Sequence, residues 1–163
     1  MGDKIVEIVP YDPKYAEIFE NYRAIILGVL PYVKVQLIGN VAVPMKGKKE
    51  IDVLVIAEDV LVAQEVLQKA GFHKGPIYEG EAYATDYRYN LECEVHLLPE
   101  GDRRISRIND LIKFLQEHDD VRSRYEEFKE SCNGLSIREY RNRKADYIRE
   151  NIPNFADLTP KNF

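Results

Sequence analysis

The segment Ile51–Ala57, IDVLVIA, most constrains the fold. An almost continuous apolar run of this length fits a strand buried on both faces, so the chain must build a sheet with layers packed against it. Asp52 interrupts the run. A carboxylate there is costly to bury unless a metal, a lysine or a backbone donor partners it. Upstream, Val33 to Ile38 reads as a first strand of the same sheet, Gly39-Asn40 as a turn, and Pro44 to Lys49 as a loop carrying Lys46, Lys48 and Lys49. The whole stretch from Gln36 to Ile56 is thus strand, turn, basic loop, strand.

The remaining chain supplies the layers. Asp12-Pro13 marks a helix start, with Asp as cap and Pro in the first turn. Tyr15, Ile18, Phe19, Tyr22, Ile25, Ile26 and Val29 then recur at helical spacing, and Pro31 closes the segment. After the central strand, Glu58-Asp59 precedes a helix predicted over Val60 to Ala70, ended by Gly71. From Phe72 to Leu98 the period becomes two. Leu91, Cys93, Val95 and Leu97 share one face of a strand, while Glu92, Glu94, His96 and Leu98 share the other. This pattern predicts an antiparallel hairpin at one side of the sheet. Three helices follow: one from Asp102, one from Asp119 or Asp120, and one from the capping box Ser136 to Glu139 through Glu150. Without an internal repeat or linker, residues 1–153 read as a single domain and residues 154–163 as a flexible tail.

Composition narrows the function classes. A net charge of -5 argues against general nucleic-acid binding, which calls for a basic surface, but leaves room for a local basic pocket. Cys93 and Cys132 make no disulfide framework and read as reduced core thiols. The N-terminus shows no apolar signal region and no run is long enough for a bilayer, so the expected compartment is the cytoplasm, with no membrane partner. Nucleophile elbow, Cys-x-x-Cys zinc, Walker and dinucleotide motifs are absent.

Three groups carry candidate chemistry. Asp52 is either a strand-end carboxylate bonded to a lysine or a ligand for Mg²⁺ held against phosphates that the Gly39-Asn40 turn would contact. Glu92, Glu94 and His96 are either the solvent face of an amphipathic strand or, for Glu94 and His96, partners of Asp52 across the sheet. Two carboxylates and an imidazole suit one divalent metal, and the imidazole favours Zn²⁺ or Mn²⁺ over Mg²⁺. The lysine loop is either a solvated surface or the place where a polyphosphate is neutralised. Tyr78, Tyr83, Tyr87 and Tyr89 are either packing residues or a platform for a base.

These features resemble the GrpB family, which is assigned to the nucleotidyltransferase-fold superfamily. Val9-Pro10-Tyr11-Asp12-Pro13-Lys14-Tyr15 with Phe19 is similar to its N-terminal signature. Leu37-Ile38-Gly39-Asn40-Val41-Ala42-Val43-Pro44-Met45, leading to Lys48-Lys49-Glu50-Ile51-Asp52, is similar to its central one. Glu94-Val95-His96 resembles its His-x-His strand, and Tyr125 to Lys129 and Tyr140 to Lys144 resemble its two Tyr-x-x-x-Lys repeats. Four residues depart from the central signature: Leu37, Asn40, Val41 and Met45 stand where the family has His, Ser, Thr and Gly. Leu54 stands where the superfamily carries a second acid. The resemblance implies an α+β domain with a mixed, largely antiparallel sheet of about five strands, flanked by helices and followed by C-terminal helices. It implies a nucleotidyltransferase-like protein acting on a nucleoside triphosphate with Mg²⁺ or Mn²⁺ and an unspecified acceptor. The alternative is a domain that binds a nucleotide or phosphorylated metabolite without catalysis. Asp52 and Glu94 would be catalytic, Asp52, Glu94 and His96 would hold the metal, and Gly39, Asn40, Lys48 and Lys144 would contact phosphate.

Overall fold

The structure, a computed structural model, describes residues 4–158. Asp12 opens the first helix, α1 (Lys14–Val29), by accepting from the Lys14 amide at 2.9 Å. Its buried stripe is Tyr15, Phe19, Tyr22 and Ile26, the helical spacing read from the sequence. Before it lies the short strand β1 (Ile8–Val9), and after it β2 (Lys34–Ile38). The expected Gly39-Asn40 turn is one turn of helix, α2 (Gly39–Ala42). The basic loop that follows contains β3 (Gly47–Lys48), which pairs antiparallel with β1 in a small separate sheet. Next come β4 (Glu50–Ala57) and α3 (Val60–Lys69), whose cap is Asp59, accepting from the amides of Leu61 and Val62 at 3.1 Å.

β5 (His73–Tyr78), β6 (Glu81–Asp86) and β7 (Glu92–Pro99) complete a five-stranded sheet in the order β2-β4-β7-β6-β5. Every pairing is antiparallel except β4 with β7, which is parallel. The mixed, largely antiparallel sheet is therefore present, but the late hairpin does not sit at its side. β7 is the central strand, between β4 and β6. Parallel pairing needs a long crossover, here α3, β5 and β6, and alternation along one strand carries no information about which neighbour lies beside it.

One face of the sheet (Ile51, Val53, Val55, Cys93, Val95, Leu97) packs under α1 and α3. The opposite face is divided. Toward the strand ends, Ile38, Leu54 and Leu98 pack against Ile105, Ile108 and Ile112 of α4 (Arg103–Glu117). Toward the strand starts it carries Glu50 and Asp52, with Glu92 and Glu94 as their partners on β7. α5 (Asp119–Ser131) and α6 (Ile137–Asn151) build a further apolar cluster with α4, Val43 and Met45. Ser136 caps α6 by accepting from the Glu139 amide at 3.2 Å. The tail expected to be flexible from residue 154 is packed through Leu158. Pro153–Leu158 forms a 3-10 helix that buries Phe155 in that cluster, with the Arg107 guanidinium 4.9 Å from its ring. The rest of that tail lies outside the described residues. Both cysteines are buried and unpaired, as core thiols. Among the described residues no helix is long and apolar enough to cross a membrane.

A buried polar joint ties α1 to the sheet. The fully buried Tyr22 hydroxyl donates to Asp86 Oδ2 at 2.7 Å, and Arg88 donates to the same carboxylate through Nε at 2.7 Å and Nη2 at 3.1 Å. Burial would raise the Asp86 pKa, but the hydrogen bonds from Arg88 and Tyr22 more than offset it and hold the carboxyl below its ordinary 3.8. Such a group stabilises the fold above about its unfolded pKa, and that contribution is lost as pH falls through the lowered native value. We expect Asp86→Ala to cost about 3 kcal/mol at pH 7, since it strands a buried hydroxyl and a guanidinium. The gap between wild type and Asp86→Ala in urea unfolding should close below pH 4. A gap that is the same at pH 3 and pH 7 would contradict this account.

Candidate metal and nucleotide site

The polar half of the divided face is built by register. Parallel pairing sets Asp52 beside Glu94 and Leu54 beside His96. Period two then puts Glu50, Asp52, Glu94 and His96 on one surface. His96 Nε2 lies 3.3 Å from Asp52 Oδ1 and 3.4 Å from Glu94 Oε1, and its Nδ1 lies 2.9 Å from Glu81 Oε1. Asp52, Glu94 and His96 each offer a ligand atom within 4.8 Å of the others, which brings together the metal-binding trio read from the sequence. Each keeps a small solvent opening, with side chains 16%, 23% and 19% exposed respectively. Gly39 completes the wall. Its φ is +75°, and a Cβ there would stand 2.5 Å from Asp52 Oδ2, so only glycine leaves that oxygen clear.

The electrostatics follow from three carboxylates around one imidazole. Burial would lower the His96 pKa, but hydrogen bonds to Asp52 and Glu81 and the charge of Glu94 raise it well above 6.5. Burial would likewise raise Asp52, yet the hydrogen bond and charge of His96, then Lys48 and Lys144, hold it below 3.8. Burial and the Asp52 charge push the Glu50 carboxyl up to about 7, against Lys48, whose Nζ is 2.9 Å away. Glu94 is raised by burial and by Asp52, with His96 opposing. A surplus of negative charge in a low-dielectric setting is the condition a bound cation relieves. The donor set therefore fits one divalent ion: two carboxylate oxygens and one imidazole nitrogen, beside a wall that a side chain would fill.

The expected phosphate-contacting residues divide. Lys48 borders the carboxylates, pairs with Glu50 and stands 5.8 Å from the Tyr140 ring centroid. Lys144 on α6 is close enough to Asp52 and Glu50 for each to raise its pKa, behind the larger contribution of Tyr125. Among the described residues its amine makes no ion pair within 4.0 Å. Asn40 is turned elsewhere: its Cγ lies 2.5 Å from where a Gly47 Cβ would stand, so the side chain packs on the β3 loop. Lys46 pairs with Glu130 and Lys49 is exposed, so neither joins the site. The hairpin tyrosines are engaged in packing: Tyr83 meets the His96 ring edge-on at 5.1 Å, Tyr89 meets Tyr22 at 5.2 Å, and the Tyr87 hydroxyl donates to Glu92 at 3.1 Å.

Sequence reasoning gave no role to three residues. Glu50 and Glu81 were findable, since period two carries the site face back from Asp52 and from Tyr83. Lys129, at 3% exposure, donates to the Lys46 carbonyl at 3.2 Å and sits 4.3 Å from the Tyr125 ring centroid. Burial, then the neighbouring Lys144, pushes its pKa well below 10.5. Its signal was the Tyr-x-x-x-Lys spacing, which stacks the two residues on one helix face. A cavity of about 130 Å³ opens next to the site, bordered by Lys48, Glu50, Glu92 and the N-terminal Lys4.

Comparisons with known proteins agree with this architecture. No curated protein matches the sequence. Among solved structures, the conserved protein GrpB from Enterococcus faecalis superimposes with a TM-score of 0.77 at 22% identity, covering 93% of this chain and 98% of that one. A Cid1 poly(U) polymerase structure with MgGTP bound is similar at a TM-score of 0.53 and 11% identity, over 70% of this chain and 41% of its own. A second Cid1 structure, described for RNA terminal uridylyl transferase activity, gives 0.51 at 12% identity, over 70% and 38%. The chain spans about two fifths of these polymerases, and the likeness is one of fold: a nucleotidyltransferase-like sheet with flanking helices. The profile described as GrpB protein matches residues 5–153, nearly the whole length, and the chain belongs to the GrpB family.

Proposed function

We propose that this protein is a metal-dependent nucleotidyltransferase-like enzyme that binds a nucleoside triphosphate. The observation that carries the reading is the convergence of Asp52, Glu94 and His96 within 4.8 Å, on a fold shared with a polymerase described with MgGTP bound. Asp52, Glu94 and His96 would hold Mg²⁺ or Mn²⁺, which when bound supplies charge neutralisation at the phosphates. Lys48 and Lys144 approach the same carboxylates and would offset the remaining phosphate charge. The α2 backbone at Gly39 and Asn40 would lie along the phosphates, with Gly39 leaving Asp52 accessible. In this reading Asp52 and Glu94 are the catalytic carboxylates. The reaction would join an acceptor hydroxyl oxygen to the α-phosphorus, break the bond from that phosphorus to the oxygen bridging to the β-phosphate, and release pyrophosphate, the hydroxyl proton passing to solvent. The net charge of -5 and the buried thiols support a cytoplasmic protein that acts on small molecules rather than on nucleic acid at large.

A second reading is favoured by one observation. Leu54, at the position of the superfamily's second acid, is fully buried under α4. A site with one clamped cation binds a triphosphate but lacks the paired ions of two-metal transfer. In that case the domain binds a nucleotide without transferring it. A thermal-shift series separates the two. With Mn²⁺ and a nucleoside triphosphate each at 100 times its Kd, linked stabilisation is about 2.7 kcal/mol per ligand. Stabilisation by nucleotide that requires Mn²⁺, with pyrophosphate released on adding acceptors, is the expected result. Metal-dependent stabilisation without turnover would select the binding reading, and no stabilisation by any triphosphate would end both.

A further inference from the structure

His96 has two ring nitrogens, and only one faces the Asp52–Glu94 pair. The other, Nδ1, is 2.9 Å from Glu81 Oε1. A carboxylate that accepts from one ring nitrogen fixes both the proton position and the ring's rotation, leaving the opposite nitrogen as the ligand. Ring orientation is assigned from these partners, and here they agree: a ring flip would remove both contacts at once.

Glu81 is itself held from two directions. Its second oxygen lies 3.5 Å from Arg104 Nη1, and Tyr83 is hydrogen-bonded to it. Arg104 is anchored in turn by Asp102, the cap of α4, at 3.0 Å through Nε and 2.9 Å through Nη2, and by the Glu79 carbonyl at 2.8 Å. Tyr83 is the cross-strand partner of His96 and lays its ring edge-on against the imidazole at 5.1 Å. Glu81 and Tyr83 alternate onto the site face of β6, so one strand supplies both the partner and the wall. With side-chain exposure of 14%, Glu81 is too enclosed to be an incidental surface acid.

We propose that Glu81 is a positioning residue, which accepts from His96 Nδ1–H and so presents Nε2 to a divalent cation shared with Asp52 and Glu94. The role rests on the metal reading above. Glu81 touches neither cation nor substrate. It acts through the imidazole, and Arg104 and Tyr83 keep it in place.

Mn²⁺ binding to the intact protein tests this without any assay of turnover. Wild-type protein should bind Mn²⁺ with pulsed-EPR nitrogen coupling from a directly bound imidazole. Glu81→Ala should bind about 10–100-fold more weakly, the usual loss for an outer-shell partner, with that coupling lost or altered. Glu81→Gln, whose amide oxygen still accepts from Nδ1–H, should stay within about fivefold of wild type and keep the coupling. If Glu81→Ala does not fold, Glu81→Leu, of similar bulk, carries the same expectation. Affinity within about twofold and unchanged coupling in the alanine or leucine variant would overturn the role of Glu81 while leaving the cation site intact. Mn²⁺ bound without nitrogen coupling in the wild type would also overturn it, because His96 would then not be a ligand. An absence of Mn²⁺ binding in the wild type would overturn this role and the metal reading together.

Discussion

Asp52→Asn will abolish the stabilisation that Mn²⁺ gives the wild-type protein. The substitution keeps the shape of the side chain and removes its charge, and Asp52 both lies 3.3 Å from His96 Nε2 and faces the cleared space at Gly39. Losing a charged ligand should weaken the ion by at least the upper range seen for losing an outer-shell partner, about 100-fold or roughly 2.7 kcal/mol. The metal-free protein responds differently. Asp52 raises both Glu50 and Glu94, so removing its charge relieves that repulsion, but it also gives up the attractions of His96, Lys48 and Lys144 that together hold Asp52 below its ordinary pKa. Because the attractions prevail, the Tm without metal should fall at neutral pH, and less so as pH falls through the lowered Asp52 pKa. Differential scanning fluorimetry with and without Mn²⁺ therefore reads the site separately from the fold. An Asp52→Asn protein that is stabilised by Mn²⁺ as strongly as wild type would remove Asp52 from the ligand set.

Restoring the missing acid should damage the protein. Leu54→Asp would write the superfamily's second carboxylate back into β4, yet we expect it to cost about 5 kcal/mol. Leu54 is fully exposed to its neighbours and not at all to water: it packs with Ile38 and Leu98 beneath Ile105, Ile108 and Ile112. Removing its side chain alone is worth about 3 kcal/mol, and burying an unpaired carboxyl, even neutralised, adds about 2 kcal/mol or more. Against a typical total of 5–15 kcal/mol, that is a large share. Urea unfolding of Leu54→Asp and Leu54→Asn gives the comparison. If either variant were as stable as wild type and bound a second equivalent of Mn²⁺, α4 would not be sealing that half of the face.

What could be read beforehand depended on how local the signal was. Alternation along β7 placed Glu94 and His96 on one face, and the apolar run in β4 made Asp52 conspicuous, so the trio was visible before its geometry was known. The same alternation misplaced β7, because a strand central by parallel pairing and a hairpin at a sheet's side present the same period. Leu54 could be seen as a lost acid, but its burial under α4 depends on a helix that begins some fifty residues later. Asn40 was grouped with the phosphate contacts by its place in a turn, whereas a single helical turn swings its side chain to Gly47. Phe155 shows the limit in the other direction. A polar stretch after Pro153 looks unanchored until the aromatic meets the cluster formed by α4, α5 and α6.

The carboxylates of the site come from residues 50 to 96, while Lys129 and Lys144 come from α5 and α6. In a chain made from its N-terminus, every carboxylate of the site is translated before two of its three lysines, Lys129 and Lys144. Until then Lys48 and His96 are the basic residues available to Asp52, Glu94 and Glu81. A cation held by Asp52, Glu94 and His96 and the docking of α5 and α6 would thus be alternative ways of neutralising the same charge.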